Sequence, residues 1–349
     1  MPKTRDESRY GTGHEDGLEP LAPLDPSQTH TVDALVRAMS HTAFGGRRLG
    51  EAADVLETMV RDPDCFRVVT ISGAMTIAKQ GLLLCEMIER GWVQAIVTTG
   101  ALMTHGLSEG AGMVHFKHKA SMADEELYGR GYNRVYDTIE LEKNLDGVER
   151  ILARALAEVD PETVVSSRTL CELLGRDLER HVEQRGILKS AVAHGVPVYV
   201  PAFTDSELGL DFAIYNALRV QAGQAPLRFD PFLDLDDFAN RIRETERIGI
   251  FTIGGGVPRN WAQQVGPYLE IRRARMGRAE PMRRYRYAVR ICPEPEHWGG
   301  LSGCSYSEGV SWGKFVPEQE GGRFAEVFAD ATIAWPLIVR AVMERLDSK

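Results

Sequence analysis

Lys314 sits where a merely solubilising charge would be out of place. It lies in Ser311-Trp312-Gly313-Lys314-Phe315, after Ser302-Gly303-Cys304-Ser305-Tyr306-Ser307-Glu308-Gly309-Val310. Burial costs the charged form of an amine its water and lowers its pKa. An amine held neutral can attack an electrophilic carbon and form an imine. Glu308 could instead keep Lys314 charged. A lysine whose stem covers apolar surface while its head reaches water has the same sequence signature. These residues alone leave the roles open.

Other chemistry-bearing residues fall in three groups. Thr104-His105-Gly106-Leu107 is followed by Gly110, Gly112, His115 and His118. His115 and His118 are three apart, but no His-Glu-x-x-His pattern occurs, so polar loop or substrate contacts are expected here and no metal. His105 could shuttle a proton, since a histidine titrates near neutrality; a structural loop histidine fits as well. Asp205, Glu207 and Asp211 form an acidic stretch suited to an amine or a ribose, or to ordinary helix capping. Gly254-Gly255-Gly256 precedes Val257-Pro258-Arg259-Asn260-Trp261 and would let a cofactor approach the backbone closely.

Positioning these groups requires strands that end beside them. Arg67–Ile71 is β-branched and runs into Ser72-Gly73-Ala74; residues 76–89 are spaced as a helix; Val93–Val97 is the next strand, closed by Thr98-Thr99-Gly100-Ala101. That order is a βαβ unit. Val198–Val200 ends at Pro201-Ala202-Phe203-Thr204-Asp205, and Ile248–Ile253 ends at the three glycines. In open α/β sheets the carboxyl ends of strands collect ligands. No Gly-x-Gly-x-x-Gly fingerprint is present, so the segment alone does not specify a dinucleotide. Helices are expected over 30–60 with a break at Phe44-Gly45-Gly46-Arg47-Arg48, over 140–156, over 168–193 with local interruptions or turns at Gly175 and Gly186, and over 233–246 and 333–343. Short strands are expected over 287–291 and 326–328. The fold class is therefore α/β, Rossmann-like, with a mostly parallel sheet covered by helices on both faces. Residues 1–29, with Pro20, Pro23 and Pro26, read as an extended arm on a single domain spanning 30–349.

The chain has 349 residues, 43% of them apolar, and a formal charge of −9. An acidic balance gives no support to nonspecific nucleic-acid binding, and no apolar run is long enough for a membrane span. The seven arginines of residues 272–286 read as a solvated face or salt-bridge partners. The five cysteines are scattered and odd in number, which suggests neither a disulfide framework nor a thiolate cluster. A cytoplasmic location is the expectation.

The Ser311-Trp312-Gly313-Lys314 block resembles the most specific motif of the deoxyhypusine synthase family, which includes homospermidine synthases and bacterial deoxyhypusine synthase-like proteins. The likeness spans roughly residues 60–345 and is strongest over 67–112, 197–211, 248–261 and 306–334. It implies a Rossmann-like NAD-binding domain, assembled as a homotetramer with active sites at dimer interfaces. It implies that Lys314 carries a transferred aminobutyl group as an imine and that Glu308 holds a substrate amine beside it. By the same resemblance NAD would meet Gly73, Ala74, Met75, Thr76 and Ile77, then Thr98, Thr99 and Gly100, then Asp205, then Gly254, Gly255 and Gly256, and finally Asp330 and Ala331. Trp312 belongs to the substrate side.

The sequence also departs from the family pattern. Thr104 and His105 stand where the eukaryotic pattern has two consecutive glutamates, and Asn260 where it has an active-site histidine. Leu210 and Leu301 replace two aspartates, with Asp211 next to the first. The Cys292-Pro293-Glu294 turn is changed as well. Cofactor positions survive while the amine clamp differs. This favours a bacterial-like member that transfers an aminoalkyl group between small polyamine or guanidino-amine substrates; protein modification from spermidine and a non-enzymatic assembly role are the alternatives.

Overall fold

The structure is a computed structural model that describes residues 5–73, 75–277, 279–300 and 302–348. Ala74 and Leu301, both singled out above, lie outside the described residues. In chain order the regular elements begin with α1 (Val32–Ser40), α2 (Phe44–Arg61), β1 (Cys65–Ile71), α3 (Gly81–Glu89), β2 (Ala95–Thr98) and α4 (Gly100–Gly110). Next come β3 (Phe116–Lys117), α5 (Asp124–Gly129), β4 (Tyr132–Val135), β5 (Thr138–Leu141), α6 (Glu142–Ala157) and β6 (Val164–Val165). The middle continues with α7 (Ser167–His181), α8 (Ile187–Ala193), β7 (Val198–Tyr199), α9 (Glu207–Gln221), β8 (Arg228–Phe229) and α10 (Phe232–Arg243). The last part holds β9 (Arg247–Ile253), α11 (Gly256–Gln263), α12 (Val265–Met276), β10 (Tyr285–Ile291), α13 (Tyr306–Ser311), β11 (Arg323–Val327) and α14 (Ala331–Asp347).

Six strands form one parallel sheet in the order β11-β10-β9-β1-β2-β7. The chain starts in the middle at β1, works outward through β2 to β7, then returns to the other flank of β1 and works outward again from β9. The direction of winding reverses between β1 and β9, which pair in register from Cys65 opposite Arg247 to Ile71 opposite Ile253. Such a reversal leaves a crevice at the carboxyl ends of the two strands.

Side chains alternate across a strand, so β1 feeds two cores. Val69 and Ile71 join one that contains Leu102 and Leu107 of α4, Val148 of α6, Leu208 of α9 and Trp335 of α14. Val68 joins the other, with Phe238 of α10, Ala262 of α11, Tyr306 of α13 and Phe315. Helices therefore cover both faces, and α4 and α11 lie on opposite ones.

Several boundaries depart from expectation. Phe44-Gly45-Gly46-Arg47-Arg48 opens α2 and does not break it; the break falls at His41–Ala43. Of the two interruptions expected within 168–193, the one at Gly186 is present, where a turn separates α7 from α8, while α7 runs unbroken through Gly175. Residues 75–79 are turns, so the helix after β1 starts only at Gly81. A three-stranded antiparallel sheet, β3-β5-β4, lies in the segment read as polar loop and helix start. Residues 5–29 are mostly exposed and hold two short 3-10 turns; Ala22 N donates to His41 O at 3.0 Å.

Candidate functional site

Every proposed cofactor loop leaves a strand at its carboxyl end. After β1, Ser72 N donates to Ile253 O at 3.0 Å, tying this loop to the end of β9. Ser72 Oγ accepts from Gly255 N at 2.9 Å, across the point where the winding reverses. The glycines there answer two different demands. A Cβ at Gly254 would lie 2.1 Å from Ser72 Oγ, and one at Gly255 would lie 2.6 Å from Ser302 Cα. Gly73 and Gly256 have φ values of +72° and +63°, with nothing within 4 Å of an added Cβ. The first pair lets three loops pack, Gly254 doing so at a left-handed φ of +83°; the second pair supplies a left-handed backbone beside open space. Gly256 is also the first residue of α11, whose initial N–H groups lack helical acceptors and favour an anion. A dinucleotide pyrophosphate fits that chemistry.

The neighbouring candidates frame the same edge. Thr98 Oγ1 donates to Ile71 O at 3.0 Å. Thr99 Oγ1 donates to Gly73 O at 3.2 Å and accepts from Leu102 N at 3.2 Å, which caps α4. Gly100 follows, where a Cβ would fall 2.0 Å from Ser206 Oγ. Met75 is partly buried, while Thr76 and Ile77 are buried; Thr76 Oγ1 donates to Leu102 O. Asp205 is exposed past β7. Asp330 caps α14 by accepting from Thr332 N at 2.7 Å, with Ala331 buried behind it.

Lys314 is fixed by its backbone before its side chain acts. Its N–H donates to Gly309 O at 3.1 Å and its carbonyl accepts from Tyr285 N at 2.9 Å. Gly313, at φ +69°, turns the chain into that position. The side chain runs inward: the residue is 8% exposed, and Nζ donates to Asn260 Oδ1 at 3.1 Å. Trp312, 64% exposed, has its ring centroid 6.0 Å from Nζ and borders a cavity of about 510 Å³ with Glu270 and Met282. Burial pulls the Lys314 pKa below the ordinary lysine value; the Arg259 charge pulls it further, against Cys304 and the exposed Glu308. Asn260 lies four residues into the helix that starts at Gly256, roughly 6 Å along its axis. The partner of the amine thus sits about one helical turn beyond the glycine turn.

Sequence reasoning missed the residues that hold this loop. Arg259 and Arg290 are each 1% exposed. Arg259 donates to Cys304 O at 2.5 Å, and Arg290 donates to Cys304 O at 2.9 Å and to Ser302 O. Glu326 receives Arg290 on one oxygen and Tyr306 N, at 3.0 Å, on the other. Two buried guanidiniums on one turn repel each other, and the turn's carbonyls and Glu326 offset that cost. An arginine inside the apolar strand Tyr285–Ile291 was the available signal.

His105 lies on the other face of the sheet. Its Nδ1 is 3.0 Å from Glu140 Oε2, which His115 Nε2 also approaches at 2.5 Å. Asn144 Nδ2 donates to Glu140 Oε1 at 2.6 Å. Burial raises the pKa of Glu140, but these bonds outweigh it and hold the carboxyl down at about 2. Thr104 is spent on local bonds, donating to Gly100 O and accepting from Leu208 N. Asp211 shares that face: burial, followed by Glu207, Glu149 and Asp146, raises it to about 6. Glu140 and Asn144 were not singled out in the sequence. The structure thus joins Lys314, Asn260, Trp312 and Glu308 on one face, and His105, Glu140 and Asp211 on the other.

A sequence profile described as deoxyhypusine synthase matches residues 34–342. "Probable deoxyhypusine synthase 2" of Methanosarcina acetivorans is 32% identical over 327 residues, covering 93% of this chain and 90% of that protein. A "Deoxyhypusine synthase-like protein" of Chlorobaculum parvum is 30% identical over 310 residues, covering 88% and 85%. These identities do not set a bacterial-like member apart from an archaeal one. A crystal structure described as a deoxyhypusine synthase from Entamoeba histolytica superposes with a TM-score of 0.59 at 14% identity, covering 92% of this chain and 96% of that one, which shows a shared fold. Among the described residues, no helix is long and apolar enough to cross a membrane.

Proposed function

Because this chain belongs to the deoxyhypusine synthase family, we propose that it is an NAD-dependent aminoalkyl transferase acting on small polyamines through an imine on Lys314. The observation that carries this reading is the buried Lys314 amine, held by Asn260 one turn along the helix that opens at the glycine crevice. Gly73, Thr98, Thr99, Gly254–Gly256 and Asp330 would hold the dinucleotide. When bound, NAD would supply an acceptor for a hydride from the carbon beside the donor amine and return it at the end of the cycle.

The chain's own residues would do the rest. Burial lowers the Lys314 pKa and so favours the unprotonated Nζ, whose lone pair would attack the oxidised carbon. Attack forms the N–C bond and expels the departing amine, leaving the alkyl group on Nζ as an imine. Asn260 fixes the direction of Nζ. Glu308 would hold the far ammonium of the donor through a charge-assisted bond, and Trp312 would cover its methylene chain. An acceptor amine would then displace Lys314. The assembly would be a homotetramer with its sites between subunits.

Incubation with NAD and a panel of diamines and agmatine, read by mass spectrometry, tests the reading. The expected result is a transferred aminoalkyl product and a borohydride-trapped adduct on Lys314. Bound NAD with neither product nor adduct across the panel would rule it out. The relatives' names favour a second reading, in which a protein lysine is the acceptor and spermidine the donor. It predicts a mass gain on one lysine of that acceptor.

A further inference from the structure

The turn after β1 does more than border the crevice. It closes on itself, Lys79 N donating to Thr76 O at 3.0 Å and Gln80 N to Met75 O at 2.9 Å. Thr76 Oγ1 ties it to α4 through Leu102 O at 3.2 Å. Gln80 Nε2 ties it to Thr332 O at 2.6 Å, next to Asp330 and Ala331. The turn therefore joins two segments proposed for the cofactor, one after β1 and one at the start of α14. Its strained point is Lys79, at a φ of +60° that a residue with a side chain rarely adopts. Such a conformation persists only where the surroundings enforce it.

The side chain of Lys79 provides that enforcement. Its Nζ lies 3.0 Å from Glu109 Oε1 on α4 and 3.0 Å from His115 Nδ1, just before β3. The ion pair with Glu109 reaches solvent, with side chains 47% and 23% exposed, and by itself holds little. The bond to His115 differs, because that side chain is 1% exposed. An ammonium has no lone pair, so His115 Nδ1 accepts and the ring proton sits on Nε2, a tautomer that follows from the partners. That proton points at Glu140 Oε2, 2.5 Å away. Glu140 is clamped in turn: His105 Nδ1 shares Oε2 at 3.0 Å, while Asn144 Nδ2 and Leu141 N donate to Oε1. Lys79 is thus fastened, through one oriented imidazole, to a buried carboxylate on β5. All of these contacts lie within one chain.

The nitrogens of His105 and His115 and an oxygen of Glu140 lie within 4.8 Å of one another, the spacing of a metal site. A metal-bound imidazole, however, donates its second N–H to an acceptor, and the second nitrogen of His115 faces an ammonium. The bonding is that of a latch.

We propose that Lys79 is a positioning residue for the cofactor and that His115 makes its hold sensitive to protons. With His115 neutral, the Lys79 bond keeps residues 75–79 closed and, through Gln80, keeps the start of α14 in step with the turn after β1. A proton on His115 Nδ1 removes the acceptor and sets an imidazolium against the ammonium. The charged groups around that ring are Lys79 on one side, with Glu109 beyond it, and Glu140 on the other, with His105 beyond it. Glu140 accommodates the added charge, so the repulsion falls on Lys79, the half-exposed member, and the turn opens.

This inference rests on the assignment of these two segments to NAD, and the readouts keep the two apart. Lys79→Met retains the stem and removes the charge. Without cofactor, residues 75–80 of that variant should exchange amide hydrogens faster than in the wild type, with Tm nearly unchanged because the side chain is half exposed. By calorimetric titration at pH 8 its Kd for NAD should rise roughly tenfold, the scale of one charged hydrogen bond. The wild-type Kd should rise between pH 8 and pH 6, where imidazoles take up a proton. His115→Gln keeps an oxygen that accepts from Lys79 but does not titrate; it should bind as the wild type does at pH 8 and lose the acid weakening, and Lys79→Met should lose that weakening too. Wild-type NAD affinity or unchanged amide exchange in Lys79→Met, acid weakening that persists in full in Lys79→Met, or stoichiometric zinc that is lost in His115→Gln would each overturn the latch. A wild-type chain that binds no NAD at either pH would bring down the cofactor assignment, and this inference with it.

Discussion

Gly255 and Gly256 are adjacent, yet alanine at each should fail in a different way. At Gly256 the added methyl meets nothing within 4 Å, but φ is +63°. A left-handed conformation costs a non-glycine residue about 1–2 kcal/mol. At roughly 2–4 °C per kcal/mol for a domain of this order or somewhat smaller, Tm should drop by only a few degrees. The methyl would project into the open side of the crevice, at the helix N-terminus proposed for the pyrophosphate. NAD affinity should therefore fall at least tenfold, about 1.4 kcal/mol. At Gly255 φ is −179°, ordinary extended backbone, but the methyl would lie 2.6 Å from Ser302 Cα. That loop is clamped by Arg259 and Arg290 and cannot yield freely. Overpacking of this kind costs about 1–3 kcal/mol, and displacement of the 302–304 turn should reduce adduct formation at Lys314. Thermal melts with and without NAD, calorimetric titration and borohydride trapping measure all three effects. Wild-type NAD affinity in Gly256→Ala would refute the assignment of the crevice to the cofactor.

Two further predictions follow from titrating groups. Burial holds the folded-state pKa of Lys314 below its unfolded value, so the charged form opposes folding. Stability should then grow as pH rises through the folded value toward about 10.4, and Lys314→Met should raise Tm at pH 7 by more than at pH 10; equal gains would count against a buried, destabilised ammonium. Asp211 is the opposite charge with the same logic: its carboxyl rises from 3.8 to about 6, so stability is lost as pH climbs through that window. Asp211→Asn should raise Tm at pH 8 and leave it nearly unchanged at pH 4, and a melt series showing the same shift at both would refute the raised value.

The apolar runs of β1 and β9, followed by Ser72-Gly73 and Gly254–Gly256, announced a parallel α/β sheet with ligand-facing turns, because strand periodicity and glycine placement are local properties of the chain. The Lys314 block was legible for the same reason: its residues adjoin in sequence. Phe44-Gly45-Gly46 misled, since a glycine pair that looks like a breaker is tolerated where the helix gains burial further along, at Leu49, Ala52 and Leu56. Arg290 shares β10 with Arg286, which reads as solvated charge, and only its place between Val289 and Ile291 marked it as buried.

Sequence alone thus determined the main strands of the parallel sheet, its winding class and which nitrogen is a candidate nucleophile. It could not pair Asn260 with Lys314, 54 residues apart, or Glu140 with His105 and His115, 35 and 25 residues away. Nor could it place His105 and Lys314 on opposite faces. Those relations depend on the order in which the strands lie side by side and on which face each helix covers. That order is set by packing energy summed over both cores, and no local spacing encodes it.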